Sequence, residues 1–365
     1  MTGPEDAPAL HLSGVVLPDG EHRDVWVRGG RFTFEPVPGA ETVVRGGWLV
    51  PGLVDAHCHV GIATGGTPVD DLAAAREQAL AERAAGVLAL RDCGSPVDTR
   101  ALDQELDLPR IIRAGRHLAA PRRYIPGLAI ELEPDALAEE VRVQARRGDG
   151  WVKLVGDWID RAVGDLAPEW PASAVRAAIA AAHEEGARVT AHTFGTEALP
   201  DLIDAGIDCI EHGTGLTEEL IGRMAARGTA VVPTLLNVAN FPRFAEAGEQ
   251  RFPTYASTMR RLHASAGAVV RAAHDAGVPV FAGTDAGGGI RHGVIADEVR
   301  ALHQAGLPAE AALAAASWSA RAWLGLPCIE EGASADVVAY DTDPRADLGA
   351  LAKPGVTLLR GRVVA

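Results

Sequence analysis

The chain has 365 residues, of which 47% are hydrophobic and 23% are charged, the composition of an ordinary globular protein. Its net charge of −15 argues against nucleic acid or an anionic membrane surface as a partner, because both attract basic surfaces. The length suggests two domains or one large α/β barrel with additions, and it allows a sizeable core.

Nothing in the sequence predicts secretion or a membrane span. Residues 1–6 lack a basic region followed by an apolar one, so we expect no signal peptide. No run reaches about 18 uninterrupted apolar residues, so we expect no spanning helix. The four cysteines lack CxxC spacing and lie mostly in apolar runs, as buried thiols in a reducing compartment do. They are Cys58, Cys93, Cys209 and Cys328. We therefore expect a cytoplasmic protein.

Short strands separated by turns are predicted at both ends of the chain. Near the start, segments 11–17, 24–28 and 31–34 are separated by Pro- and Gly-containing turns. The same pattern returns from about residue 326. Because the first 53 residues are too few for an independent core, we expect residues 1–53 and 326–365 to form one small β-sandwich domain.

Between the two ends, apolar strand-like runs alternate with alanine-rich helical stretches that are bounded by Gly or Pro. The predicted strands are 53–58, 87–91, 110–114, 152–155, 188–191, 209–211, 230–234 and 278–282, and the predicted helices are 71–85, 135–147, 172–185, 197–205, 218–227, 255–276, 295–305 and 309–317. Eight alternating units in about 270 residues predict parallel strands in a distorted (β/α)8 TIM barrel, over residues 54–325. A doubly wound open sheet is the structural alternative.

His57 and His59 stand at the end of the apolar run 48–54. Residues i and i+2 of a strand point to the same side, so the two imidazoles are expected to face the same way. Two neutral imidazoles side by side suit a borderline divalent metal such as Zn²⁺. Taken alone, the motif is equally explained by two ordinary histidines near a turn.

Further polar residues stand on or after other predicted strands. Lys153 lies inside the fourth strand, His192 and His212 end the fifth and sixth, and Asp285 follows the eighth. The carboxyl ends of barrel strands converge on one face, where active sites are built. An unpaired ammonium is costly to bury, so Lys153 is either snorkelled, ion-paired, or converted by CO₂ into a carbamate that bridges two metals.

Together these residues resemble the amidohydrolase superfamily. The resemblance rests on the run 51–59, the strand-borne Lys and His residues, the segment 283–287 and the closing stretch 332–338. Within the superfamily the chain is most similar to the binuclear branch of prolidase-like dipeptidases and imidazolonepropionase-like amidohydrolases. That similarity rests on residues 91–94 and on Asp285-Ala286-Gly287 followed by His292, Gly293 and Glu298.

The resemblance implies two metal ions and a role for each ligand. The ligands would be His57, His59 and Asp285 for the more buried metal, His192 and His212 for the second, and carbamylated Lys153 for both. Two Zn²⁺ ions would lower the pKa of a bridging water, and the second would polarise the scissile carbonyl. Asp285 would also be catalytic, moving the proton from the attacking water to the leaving amine. The same ligand set suits Mn²⁺, Fe²⁺ or Co²⁺.

Two stretches differ from related branches. Prolidase-like members often carry Gly-Gly-His after the third strand, where this chain reads Gly115-Arg116-His117. Because this loop should line the pocket, the difference argues against a dipeptide substrate. Mononuclear deaminases and imidazolonepropionases use His-x-x-Glu after the fifth strand, where this chain has His192 followed by Thr, Phe and Gly. Together with Lys153, both points favour hydrolysis with two metals over deamination with one.

Candidate substrate contacts lie in the loops that follow the strands. They are Tyr124, Arg122, Arg123, Trp158, Asn237, Arg291 and His292. Tyr124 could donate a hydrogen bond to a carbonyl or carboxylate, and an arginine could clamp a carboxylate. Each is equally explained by packing or surface exposure, and His292 also by orientation of a ligand.

We therefore predict hydrolysis of a C–N amide bond in a small-molecule substrate, with a dipeptide or N-acyl amino acid as the leading class. A cyclic amide, lactone or ester is the runner-up. A mononuclear deaminase and a catalytically inactive scaffold are further alternatives. The sequence leaves homo-oligomerisation open.

Overall fold

The structure is a computed structural model that describes residues 8–69 and 71–365, so the segment used to argue against a signal peptide lies outside it. Within those residues the strands are β1 (Leu10–Val16), β2 (Glu21–Arg28), β3 (Arg31–Thr33), β4 (Glu41–Pro51), β5 (Leu53–Cys58), β6 (Ile62–Ala63), β7 (Thr67–Pro68), β8 (Val87–Asp92), β9 (Arg110–Arg113), β10 (Leu118–Ala119), β11 (Ile130–Glu131), β12 (Trp151–Val155), β13 (Asp157–Asp160), β14 (Asp165–Pro168), β15 (Arg188–Thr193), β16 (Cys209–His212), β17 (Ala230–Val232), β18 (Val337–Tyr340), β19 (Val356–Leu359) and β20 (Arg362–Val363).

The helices lie mostly between strands of the central region. They are α1 (Leu72–Ala84), α2 (Leu137–Arg147), α3 (Ala172–Glu184), α4 (Leu199–Asp204), α5 (Glu218–Arg227), α6 (Leu235–Val238), α7 (Phe241–Gly248), α8 (Pro253–Asp275), α9 (Ile295–Gln304), α10 (Ala309–Ala315) and α11 (Trp318–Trp323). The ends of α5 show why such helices begin and end where they do. Thr217 caps its first turn by accepting from the Leu220 N–H, and Gly228 ends it in the left-handed region, at φ 72°. No helix in the described ranges is both long and apolar enough to cross a membrane.

Strands from both ends of the chain form one seven-stranded sheet, in the order β20-β19-β18-β4-β1-β2-β3. The two ends meet where β18 pairs antiparallel with β4, with Val337 opposite Pro51. Side chains of β1 alternate between buried and half-buried, as expected when one face of a strand covers a core. The two ends of the chain therefore share one hydrogen-bonded sheet, whereas the predicted β-sandwich, which needs two facing sheets, is not shown. The predicted domain boundaries, 1–53 with 326–365 against 54–325, stay predictions.

The central region has a TIM-barrel-type α/β fold. Two sets of neighbouring strands, β5-β8-β9 and β11-β10-β12-β15-β16-β17, carry it. The segment that follows α8 forms isolated parallel β-bridges with both sets of strands. Val280 pairs with Val231 of β17, and Ala286 pairs with Cys58 of β5. The predicted eighth strand thus forms isolated bridges instead of a regular ladder. Strands β5, β8 and β12 are buried along their whole length, as expected for strands covered by helices.

Some elements after the strands were not predicted. The loop expected after the fourth barrel strand is the antiparallel hairpin β13–β14. Helices α6 and α7 occupy the connection between β17 and α8, where the sequence predicted a helix only from residue 255. These additions stand beside the carboxyl ends of the strands, and they shape the site described next.

Candidate active site

His57, His59 and Asp285 meet at the carboxyl ends of the first and eighth barrel strands. The Nε2 atoms of His57 and His59 lie 3.3 Å apart, and Asp285 Oδ1 lies 3.3 Å from the first and 3.0 Å from the second. The other ring nitrogens are already used, because His57 Nδ1 donates to Glu211 Oε2 over 2.6 Å and His59 Nδ1 donates to the Gly94 carbonyl over 2.8 Å. Three lone-pair acceptors therefore face one another.

This arrangement fits a shared cation. Ligand atoms that each lie about 2.0–2.1 Å from one tetrahedral ion are about 3.3 Å from each other. The three distances observed here match that separation. Among the described residues, the geometric groups that could hold a metal include His57, His212 and Asp285 together.

His192 and His212 form a second pair beside the first. Their Nδ1 and Nε2 atoms, respectively, lie 2.9 Å apart, and the His212 ring centroid lies 5.3 Å from that of His57. His192 Nε2 is buried and has no hydrogen-bond partner among the described residues. Burial lowers the pKa of His212 to about 3 and that of His192 well below its ordinary value. Both imidazoles are therefore neutral, which is the form that binds a metal.

Lys153 lies on β12 and lines the same cavity as the two histidine pairs. Only 1% of its surface is exposed. Within residues 8–69 and 71–365 it has neither an ion-pair nor a hydrogen-bond partner, so the ion-paired alternative is not what this structure contains. Carbamylation of Lys153 stays a prediction, and the absence of a counterion is what favours it.

Tight backbone geometry holds these side chains in place. His212 and Asp285 have φ values of 65° and 57°, a region that non-glycine residues rarely adopt and that is often found at functional sites. Asp55 helps to hold the Asp285 turn, because its carboxylate accepts from the Thr284 N–H over 3.1 Å and the Thr284 hydroxyl over 2.5 Å. A Cβ on Gly283 would lie 2.6 Å from His57 Cβ, so this close approach requires glycine.

A fully buried network behind His57 was not predicted. Glu211 accepts from His57 on one carboxylate oxygen and, on the other, from Arg91 Nη2 over 2.6 Å and from the Thr190 hydroxyl. Burial alone would raise the pKa of the Glu211 carboxyl, but the charge of Arg91 and the hydrogen bond from His57 outweigh it and hold that pKa well below its ordinary value. The Arg91 guanidinium also lies 4.5 Å from the centre of the Trp151 ring. The network holds His57 in the tautomer whose Nε2 is free.

A cavity of about 640 Å³ opens in front of the histidines. Its floor contains His57, His59, His192, His212, Lys153 and Asp285, which the sequence predicted as one site. Its walls come from the hairpin β13–β14, from α7 and α8, and from two glycine-containing turns, 64–66 and 287–289. A cavity of this size is typical of small-molecule sites.

The structure places only some of the predicted substrate contacts along this cavity. Tyr124, Trp158 and Asn237 line it. Tyr124 packs between Trp158, 4.8 Å away between ring centres, and His117, 5.1 Å away. His117 was not predicted as a site residue, and both its ring nitrogens are buried without a partner in the described chain.

The other predicted contacts point elsewhere. Arg122, Arg123, Arg291 and His292 are not among the described residues that line the cavity. His292 Nδ1 instead lies 2.9 Å from the buried carboxylate of Glu82, and Arg123 pairs with Asp160 at 2.9 Å. Substrate binding by Arg122, Arg291 and His292 stays a prediction that this geometry does not favour.

The fold is that of a TIM-barrel-type protein. The histidines, Lys153 and Asp285 at the strand ends line a cavity of the size that is typical of small-molecule sites. The model of the amidohydrolase family matches residues 48–364, and the chain belongs to that family. An uncharacterised protein of Mycobacterium tuberculosis H37Rv is 58% identical over 98% of this chain and 96% of its own length.

Two solved structures share the fold. A putative prolidase from Bifidobacterium longum has a TM-score of 0.84 at 22% identity, over 98% of this chain and 94% of that one. A Xaa-Pro dipeptidase with methionine bound in its active site has a TM-score of 0.81 at 23% identity, over 98% and 99%. At these identities the likeness concerns the fold alone.

Proposed function

We propose that this protein hydrolyses the C–N amide bond of a small molecule, such as a dipeptide or an N-acyl amino acid, with the help of two divalent metal ions. One observation carries the proposal. The Nε2 atoms of His57 and His59 and the Oδ1 atom of Asp285 converge within 3.3 Å of one another, with both histidines held as acceptors by their outer partners. Membership of the amidohydrolase family supports a hydrolase.

The donor set suits two ions. His57, His59 and Asp285 would hold one, His192 and His212 the other, and Lys153 as a carbamate would bind both. Such ions would supply a hydroxide at neutral pH and polarise the scissile carbonyl. Imidazole and carboxylate ligands favour Zn²⁺, with Mn²⁺, Fe²⁺ or Co²⁺ as alternatives.

Protein side chains would move the proton and orient the substrate. As a metal ligand, Asp285 would be an ionised carboxylate that is able to accept a proton. Asp285 takes the proton of the attacking water and returns it to the amide nitrogen as the C–N bond breaks, which yields a carboxylate and an amine. The hydroxyl of Tyr124 would donate to the substrate carbonyl oxygen.

Metal content tests the proposal directly. Protein purified without chelator should contain about two metal ions per chain by plasma emission spectroscopy, and its intact mass under non-denaturing conditions should include one CO₂. A panel of dipeptides, N-acyl amino acids, cyclic amides and lactones then identifies the bond that is cleaved. One metal per chain, together with full activity of Lys153→Ala, would refute the two-metal mechanism and point to deamination.

A further inference from the structure

The metal-binding role proposed for His192 determines where its proton lies. His192 Nδ1 and His212 Nε2 lie 2.9 Å apart, so these are the two atoms that would face a shared ion. A neutral imidazole carries one proton, and the nitrogen that binds a metal cannot hold it. The proton of His192 therefore has to lie on Nε2, which is buried and has no hydrogen-bond partner in the described ranges. An unpaired buried donor costs free energy, so this N–H group needs an acceptor.

The carboxyl group of Asp157 lies close to this nitrogen. Its Oδ1 atom is 4.0 Å from His192 Nε2, and only 1% of the residue is exposed. Oδ1 accepts from the Phe194 N–H over 2.9 Å and Oδ2 from the Gly195 N–H over 2.5 Å, which fixes the carboxyl group beside the imidazole. A carboxyl oxygen has more than one lone pair, so Oδ1 can accept a second hydrogen bond. A relative movement of about 1 Å brings Oδ1 and Nε2 to an ordinary hydrogen-bond distance.

Other contacts of the His192 ring are aromatic. The ring packs against Phe194 and Trp158, at 4.3 and 5.1 Å between ring centres. A phenyl ring has no lone-pair acceptor, and an indole only donates. On the other side of the site, His57 already has such an acceptor, because Glu211 Oε2 lies 2.6 Å from its outer nitrogen. Histidines that bind metals commonly donate their second N–H to a carboxylate in this way.

We propose that Asp157 is a positioning residue for the second metal ion, because its carboxyl group accepts from His192 Nε2–H and keeps the Nδ1 lone pair available. The inference rests on the proposed two-metal site and adds a residue that the predicted ligand set does not contain. Asp157 is also the first residue of β13, and its neighbour Trp158 lines the cavity. One strand thus supports both a metal ligand and part of the cavity wall.

Two substitutions of Asp157 separate its contact with His192 from its contacts with the backbone. Asp157→Leu has a similar branched shape and no acceptor. Asp157→Asn keeps one oxygen, which can take the place of Oδ1 towards Phe194 and His192 and leaves only the Gly195 N–H unpaired. Thr214→Val loosens the same turn in another way, because it removes the hydrogen bond that the Thr214 hydroxyl donates to the Phe194 carbonyl over 2.8 Å.

Nitrogen-15 NMR of metal-depleted protein reports which nitrogen of His192 is protonated, with its signals assigned from a His192→Asn variant. We expect the proton on Nε2 in the wild type, Asp157→Asn and Thr214→Val. In Asp157→Leu we expect it on Nδ1, where His212 is the remaining partner.

Competition with a chromophoric chelator measures the affinity for Zn²⁺. Asp157→Leu should bind one of its two Zn²⁺ ions about 10–100-fold more weakly than the wild type does, and the other within about twofold. Asp157→Asn and Thr214→Val should bind both ions within about threefold of the wild type, because each keeps an acceptor for His192 Nε2–H.

The outcomes separate this inference from the proposed hydrolysis. An Asp157-dependent tautomer with selective loss of one ion, in a protein that cleaves no amide, supports the inference and refutes the hydrolysis. A wild-type His192 that carries its proton on Nδ1 overturns the inference, and that measurement does not require Asp157→Leu to fold. Equal metal affinity of Asp157→Leu and the wild type, or an equal loss in Thr214→Val, also overturns it. A single bound ion in the wild type refutes the two-metal proposal and this inference together.

Discussion

Replacing Glu211 by glutamine tests whether the buried network behind His57 prepares it to bind a metal. The ionised carboxylate accepts from three donors: His57 on Oε2, and Arg91 with Thr190 on Oε1. A glutamine amide has one oxygen and one NH₂ group. It can therefore accept either from His57 or from Arg91 and Thr190, but not from both sides at once. With its oxygen towards Arg91, its NH₂ group meets His57 Nδ1 and moves the imidazole proton to Nε2, which removes the lone pair that a metal needs.

The expected effects follow from the burial of the network. Glu211 and Arg91 are fully buried, so the variant leaves a guanidinium without its counterion, and breaking such a pair costs about 3–5 kcal/mol of unfolding free energy. The volume is conserved, so no cavity contributes. Loss of a residue that orients a metal-bound histidine lowers metal affinity about 10–100-fold.

Two assays separate these effects. Urea denaturation of chelator-treated protein measures the loss of stability without bound metal, and competition with a chromophoric chelator measures metal affinity. Glu298→Gln is the control, because Glu298 is equally buried but, within residues 8–69 and 71–365, accepts only from the N–H groups of Leu235 and Leu236. A Glu211→Gln protein with metal affinity within about twofold of the wild type would refute the view that Glu211 sets the His57 tautomer.

Two further predictions concern packing and pH. Gly283→Ala should cost about 1–3 kcal/mol of unfolding free energy and weaken metal binding, because its Cβ would lie 2.5 Å from Val232 Cγ1 and 2.6 Å from His57 Cβ. Gly267→Ala, with 3.8 Å to its nearest neighbour, should do neither. Burial raises the pKa of Glu169 from 4.5 to about 9, so the folded state keeps a proton that the unfolded chain has released. The unfolding free energy should therefore fall as pH rises from about 5 to about 8.5 in urea titrations, and less steeply in Glu169→Gln; equal slopes would contradict this assignment.

The convergence of the proposed metal ligands could be predicted from local pattern because strand geometry determines the direction of their side chains. His57 and His59, two residues apart on β5, do point the same way, with ring centres 5.1 Å apart. The buried position of Lys153 also followed from an apolar strand, since a charged residue there has to face an interior site. The same reasoning, applied to Arg91 on β8 and Glu211 on β16, would have revealed two buried opposite charges that pair with each other.

The substrate cavity could not be predicted in this way. Its outer wall depends on α7, a helix of eight residues inserted between β17 and α8, whose place is set by tertiary packing and not by a repeating pattern. Phe241 anchors that helix by packing on Phe194, a contact between residues 47 positions apart that no local motif indicates. Consequently the cavity-lining residues of α7, Arg243 and Phe244, were not predicted, while arginines next to sequence motifs, such as Arg122 and Arg291, were favoured.

The charge of Lys153 leads to a last prediction. Burial is the main cause of the lowered pKa values of His117 and His192, and a Lys153 ammonium lowers both further and would repel bound metal ions. As a carbamate it carries a negative charge and two acceptor oxygens, so it and the metals stabilise each other. Thermodynamic linkage then requires that CO₂ raise metal affinity as much as metal raises carbamate stability.

Reloading metal-depleted protein with Zn²⁺ should therefore reach about two ions per chain more readily with added bicarbonate than in CO₂-free buffer, as measured by plasma emission spectroscopy. Lys153→Met keeps an apolar chain of similar length but cannot form a carbamate, and it should hold fewer ions at either bicarbonate level. If bicarbonate changes metal occupancy equally in both proteins, the anion acts somewhere other than Lys153 and the carbamate bridge is wrong.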